Sequence, residues 1–142
     1  MSDPAKIKTA RAPKPVGSYP HARRVGGFLF LSGMGPRQPG TDAIPGGPVR
    51  DDTGPLPYDV VAQTRATLEN IRAVLKEADL GLEDIVDVTV FLVDMGRDFK
   101  SFNQVYAEYF PQASATRTTV EVGALPTPIA VELKVIAWAG GS

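Results

Sequence analysis

The sequence contains no cysteine, which removes disulfide staples, thiolate nucleophiles and zinc–thiolate centres from its chemistry. It has one histidine, too few for a multi-histidine metal site. An excess of either charge is also missing. Fifteen basic and 16 acidic residues leave a formal charge of −1, with no bulk attraction for nucleic acid or anionic lipid. No apolar run comes near the roughly 20 residues that cross a bilayer. The polar opening MSDPAKIKTARAPKP has no secretory character. A cytoplasmic protein that avoids membranes and nucleic acid is the expectation. There is no Walker A loop, G-x-G-x-x-G, H-E-x-x-H or RNA-binding aromatic signature. That leaves chemistry done without cofactor or metal, by water, an acid–base group and electrostatics. What remains is 142 residues, 43% hydrophobic and 22% charged, an ordinary globular composition and the length of one domain, 1–142.

The pattern along the chain alternates strands with helices. Residues 1–16 read as an extended, poorly packed arm, because Pro13 and Pro15 resist helix. The run RRVGGFLFLS (23–32) reads as a hairpin turning at Gly26-Gly27, with FLFL apolar at every position and so buried on both faces. Residues 36–57 hold six prolines and four glycines without periodicity. Such a loop is either a solvated connection or an active-site cover. Residues 58–78 carry Val61, Thr64, Leu68, Ile71, Leu75 and Ala78 at helical spacing. Gln63, Arg65, Glu69, Arg72 and Lys76 fall outside that stripe, and Gly81 reads as the left-handed terminator. Residues 85–94 read as a strand, 98–110 as a second helix stopped by Pro111, and 117–122 and 129–138 as two more strands. The order β-β-α-β-α-β-β predicts a two-layer α+β domain, a mixed sheet with two helices on one face. Ile136 and Trp138 fall on the other face, so a second subunit is its simplest cover.

Several polar residues interrupt these patterns. Arg117, at the start of a predicted strand in TRTTV, either grips a carboxylate with two parallel hydrogen bonds or is a solvent-facing strand-end arginine. Glu132 interrupts an apolar strand. It either holds a water and accepts its proton or forms a salt bridge with Lys134. His21 either moves protons near neutral pH or lies on the surface beside a turn. Gly33 suits close approach of backbone to a ligand. Ser32 lacks the elbow of a nucleophile. Asn103 and Tyr106 are either core-edge or site residues.

The segments GSYPHA (17–22), FLFLSG (28–33), QTRATLENIRAVL (63–75), VDVTVFLVDMGRDFKSFNQVYAEYF (86–110), TRTTVEV (116–122) and LPTPIAVELKVIAW (125–138) together resemble the YjgF/YER/RidA family. The resemblance implies a chorismate-mutase-like α+β fold, a homotrimer with sites between subunits, and hydrolysis of a carboxylate-bearing enamine or imine. By resemblance, Arg117 is the substrate-carboxylate arginine and Glu132 the water-activating glutamate. Tyr19, Ser32, Gly33 and Asn103 are the other binding residues, with Thr119 standing where the family often has cysteine. His21 joins them as a candidate acid. The longer loop adds Arg37 and Arg50. With SYPHARR and TRTTV, it resembles the 2-aminomuconate deaminase branch, which converts that dicarboxylate to 4-oxalocrotonate and ammonia. One of Arg23, Arg24, Arg37 and Arg50 then meets the second carboxylate. A general 2-imino acid deaminase and a non-catalytic ligand-binding trimer are the alternatives.

Overall fold

A computed structural model describes residues 5–140. Ten elements follow in chain order: β1 (Lys6–Ile7), β2 (Ala22–Val25), β3 (Phe28–Leu31), β4 (Arg50–Asp51), β5 (Gly54–Pro55), α1 (Val60–Glu77), β6 (Ile85–Leu92), α2 (Met95–Tyr109), β7 (Thr116–Glu121) and β8 (Val131–Trp138). Six strands form one sheet in the order β1-β2-β3-β8-β6-β7. Only β6 and β7 pair in parallel, with α2 as their crossover. The expected β-β-α-β-α-β-β order is present, with β1 and the small β4–β5 hairpin added.

The core lies between the sheet and the two helices. Leu68, Ile71, Val74 and Leu75 of α1 and Phe102 and Val105 of α2 meet Leu29, Leu31, Val88, Val90, Leu92, Val131, Leu133 and Val135. Full burial of each such side chain contributes about 1.5–3 kcal/mol. The helix limits follow from side chains. Asp59 caps α1 by accepting from Val61 N and Ala62 N, and Asp94 starts α2 by accepting from Arg97 N. The Asp94 cap carries α2 three residues N-terminal of its expected start. The left-handed terminator of α1 is Asp79 (φ 59°), where the Leu80 N–H closes onto Leu75 O at 2.9 Å, and not Gly81, which is extended.

Three further expectations change. From residue 5 onward the arm is packed: β1 pairs with β2, and Ala12 lies in the core; residues 1–4 of the arm lie outside the described residues. In FLFL, Leu29 and Leu31 are buried while Phe28 and Phe30 stay 41% and 38% exposed, because the helices cover one face only. The open face of a single chain thus presents Val25, Phe28, Phe30, Val120 and Trp138.

The third change concerns Gln63. It is fully buried, its Nε2 donating to Gly47 O and its Oε1 accepting from Ala130 N, both at 2.8 Å. Asn70 donates likewise to Gly35 O and Arg37 O. These two side chains hold segment 36–57 against α1 at Arg37 and Gly47. Gln63→Leu is expected to lower stability by about 1–4 kcal/mol, since the buried Ala130 N–H loses its partner at roughly 1–3 kcal/mol and the part-buried Gly47 carbonyl loses its own at a smaller cost. Urea denaturation of the two proteins measures the difference.

Candidate active site

Strand β8 alternates between core and open face, and Glu132 points to the open face between buried Val131 and Leu133. Glu132 is half-buried. Among the described residues its carboxylate has no hydrogen bond and no ion pair, and burial pushes its pKa above the ordinary glutamate value. The salt bridge with Lys134 is absent: that ammonium donates to the Leu31 carbonyl, and burial lowers its pKa. A carboxylate left unpaired in this way is poised to exchange protons. Gly33 faces it at close range. A Cβ at position 33 would stand 2.5 Å from Glu132 Oε2, so the residue must be glycine for the carboxylate to sit there.

Around this pair lies a cleft of about 270 Å³, near the lower end for small-molecule sites. Tyr19, Ser32, Gly33 and Glu132 line it on one side, and Pro13, Pro15 and Val16 of the arm on another. The Ser32 hydroxyl donates to Pro20 O at 2.8 Å, which orients it without activating it. The Tyr19 hydroxyl accepts from the Val16 N–H at 3.3 Å and so ties the arm to the cleft.

His21 also lines the cleft, but it is 5% exposed and not a surface residue. Its Nδ1 accepts from the Thr9 N–H at 3.2 Å, which leaves the ring proton on Nε2, 2.7 Å from Pro13 O. Both nitrogens are committed to backbone. In this arrangement His21 fastens the arm that walls the cleft.

A second cluster forms on the other side of the sheet. Arg117 pairs in register with Val88, and Thr119 with Val90, so both face the helices from edge strand β7. Arg117 is no solvent-facing strand end. Its Nη2 donates to Asn103 Oδ1 at 2.8 Å, and its guanidinium carbon lies 4.7, 5.6 and 5.9 Å from the ring centres of Tyr106, Phe102 and Phe99. This aromatic bed with one polar pin fixes the guanidinium fork. Among the described residues the Tyr106 hydroxyl is buried without a partner, and burial pushes its pKa up. Tyr106→Phe is expected to keep the bed and to raise stability by up to about 1 kcal/mol, because an unpaired buried hydroxyl is removed. A thermal melt checks this.

Within one chain the two clusters do not meet. Glu132 and Arg117 point from opposite faces, on strands separated by β6 and hence roughly 10 Å apart laterally. Of the four additional arginines, only Arg37 lines the Glu132 cleft. Arg24 is spent on Gly26 O and Gly140 O, while Arg23 and Arg50 are exposed on β2 and β4. Sequence reading missed the arm as a cleft wall and the anchoring role of Gln63 and Asn70. Their spacing of seven along α1, in line with Thr67 and Val74, was the available signal. Among the described residues, no group of three or more His, Asp or Glu is placed to hold a metal ion, and no helix is long and apolar enough to cross a membrane.

Comparison with known proteins bears out the fold. A RutC family protein of Pyrococcus horikoshii is 42% identical over 132 residues, covering 93% of this chain and 95% of its own. The Escherichia coli protein named as reactive intermediate deaminase TdcF is 36% identical over 134 residues, covering 92% of this chain and 94% of its own. Its crystal structure with bound serine superposes with a TM-score of 0.79 at 35% identity, covering 95% of this chain and 98% of the other. The structure of the Escherichia coli YjgF gene product gives 0.79 at 33% identity, with the same coverage. The family model described as Endoribonuclease L-PSP matches residues 9–139, and so nearly the whole of the sheet and both helices carry the signature by which this chain belongs to that family, the YjgF/RidA proteins.

Proposed function

We propose that this protein is a hydrolytic deaminase of enamines and imines that carry a carboxylate. The observation that carries the reading is Glu132: a half-buried, unpaired carboxylate with a raised pKa, set against Gly33 in a cleft. The TdcF relative, named a reactive intermediate deaminase, supports the same class of reaction. In the reaction, an enamine takes a proton at carbon and becomes an iminium ion. Water adds to the iminium carbon as Glu132 accepts its proton; Glu132 returns that proton to the nitrogen of the tetrahedral carbinolamine, which leaves as ammonia while the hydroxyl proton passes to solvent, giving a ketone and a carboxylate ready for the next turnover. Arg117, held in one orientation by Asn103 and its aromatic bed, pairs with the carboxylate beside the reacting carbon. Thr119, on the same face two residues on, lines that half of the site. Tyr19 and Ser32 shape the other half, and the Gly33 backbone presents a dipole there.

Since Arg117 and Glu132 face away from one another in a single chain, the reading requires one chain's Arg117 to reach a neighbour's Glu132. The apolar open face supports assembly through the sheets, and a homotrimer in the cytoplasm is the form we propose. The finer reading is 2-aminomuconate, converted to 4-oxalocrotonate and ammonia; it is favoured by the presence of Arg37 in the cleft. The endoribonuclease description of the family finds no support in a formal charge of −1, which supplies no field for a polyphosphate chain.

The test is ammonia release from freshly generated 2-aminomuconate beside a small imino acid made in situ by an amino-acid oxidase. Turnover of either supports the deaminase reading, and strong preference for aminomuconate supports the finer one. Preference for the small imine reduces it to a general imine deaminase. No ammonia from either points to a ligand-binding assembly instead.

A further inference from the structure

We infer that residues 8–20 form an acid-released Ω-loop over the Glu132 cleft, with His21 as its latch. The inference goes beyond the deaminase reading and does not depend on it. Residues 8–20 contain no strand or helix, and their ends lie together: the His21 N–H donates to Ile7 O at 3.0 Å, where β1 meets β2. The buried imidazole ties two points of the loop. Nδ1 accepts from the Thr9 N–H at 3.2 Å, and Nε2 donates to Pro13 O at 2.7 Å. From Pro13 onward the loop supplies Pro13, Pro15 and Val16 to the cleft wall. The ring borders the cleft and also a hollow of about 650 Å³ lined almost wholly by the loop.

This bonding requires a neutral ring. A second proton, on Nδ1, sets one N–H donor against the Thr9 N–H donor and leaves both without a partner. Two buried donors in that state are costly, and water reaches them only if the loop lifts. Among the described residues nothing bonds the new charge. Lys8, Lys14 and Tyr19 of the loop, Arg37 beyond β3 and Glu132 of β8 border the same two spaces, and none of them bonds either ring nitrogen. Glu77 of α1 bonds Thr9 Oγ1 and not the ring. The other holds on the loop are few. Of residues 8–20 only Ala12 and Pro13 are buried. Away from the neck, the polar ties of Thr9 to Glu77 and of the Lys14 carbonyl to Arg37 are exposed. Protonation of His21 therefore lifts the wall of Pro13, Pro15 and Val16 while the β1–β2 neck holds, so the cleft is enclosed near neutral pH and open in acid.

The competing account is that His21 fills space and that its charge does not move the loop. Nitrogen-15 NMR on the full chain in its solution assembly separates the two. The sequence has one histidine, so the ring signals belong to it without ambiguity. Ring protonation and amide protection factors are followed from about pH 8 to about pH 5, the span in which imidazoles ordinarily titrate. Near the upper end the ring is expected to carry its proton on Nε2, with the Thr9 amide protected. As the ring gains its second proton, Thr9 protection should fall at least about tenfold with the same midpoint. The neck amides of His21 and Arg24, which donate to Ile7 O and Ala5 O, should stay within about twofold. His21→Gln, neutral throughout, should hold Thr9 protection within about twofold over the same span. The inference is overturned if the ring titrates while Thr9 protection is unchanged, or if the ring stays neutral across the span. It is equally overturned if Thr9 and the neck amides lose protection together, or if His21→Gln repeats the wild-type loss. None of these readings uses turnover, so failure of the deaminase reading leaves the result intact.

Discussion

Arg117→Gln is expected to lower kcat/KM for a carboxylate-bearing enamine by roughly 30-fold to several-thousand-fold, the equivalent of about 2–5 kcal/mol for a desolvated charged pair. The size follows from the setting of the guanidinium. It rests on Tyr106 at 4.7 Å and is pinned to Asn103 at 2.8 Å, so little ordering remains to be done when a carboxylate arrives. Lysine should not rescue it: an ammonium keeps the charge but loses the two-pronged geometry. Steady-state kinetics on Arg117→Gln and Arg117→Lys, read with a thermal melt to show that the fold persists, make the comparison. Normal turnover by Arg117→Gln would remove Arg117 from the site.

Glu132→Gln is expected to reduce kcat by about 10²–10⁴-fold, the usual range for loss of a general base. Amide and acid have nearly the same shape, so Gly33 still accommodates the side chain and the fold is kept. The pH dependence provides a second reading. Burial raises the Glu132 pKa, and a base must be deprotonated to accept the water's proton. Activity of the wild type should therefore fall on the acid side as pH drops through that raised pKa, and this limb should vanish in Glu132→Gln. Stability runs the opposite way. The folded state holds its proton to a higher pH than the unfolded chain does, so stability is lost as pH rises from the unfolded pKa through the folded one. Glu132→Gln should then be at least as stable as the wild type at neutral pH and less active, the trade expected of a residue kept for chemistry. A variant both less stable and fully active would assign Glu132 to structure.

Much of the architecture was readable because it is written in periodicity. The spacing of Leu68, Ile71 and Leu75 required a helix with one buried side, and the alternation of Val131, Leu133 and Val135 required a strand with one. The departures arose where a polar side chain served the backbone. Gln63 belongs to the buried side of α1 although its type suggests solvent, because it satisfies Ala130, 67 residues away. Asp79 takes the left-handed position that glycine would be expected to hold, and Asp94 starts a helix that a pattern of apolar residues starts later.

The sequence by itself determined the order of the main strands and helices, the buried sides of α1 and β8, the lack of thiol chemistry, and the segments from which Arg117, Glu132, Gly33 and Asn103 come. Tertiary structure alone decided what those residues face. It set Glu132 free of Lys134, committed both nitrogens of His21 to the arm, brought Arg37 rather than Arg23, Arg24 or Arg50 to the cleft, and turned Arg117 and Glu132 to opposite sides of one sheet. The reason is physical. Burial of apolar surface is a local, periodic demand that each segment shows in its own residues. Hydrogen-bond and charge partners are supplied by whatever the folded chain brings within about 3 Å, and those partners come from distant segments that no local pattern reveals.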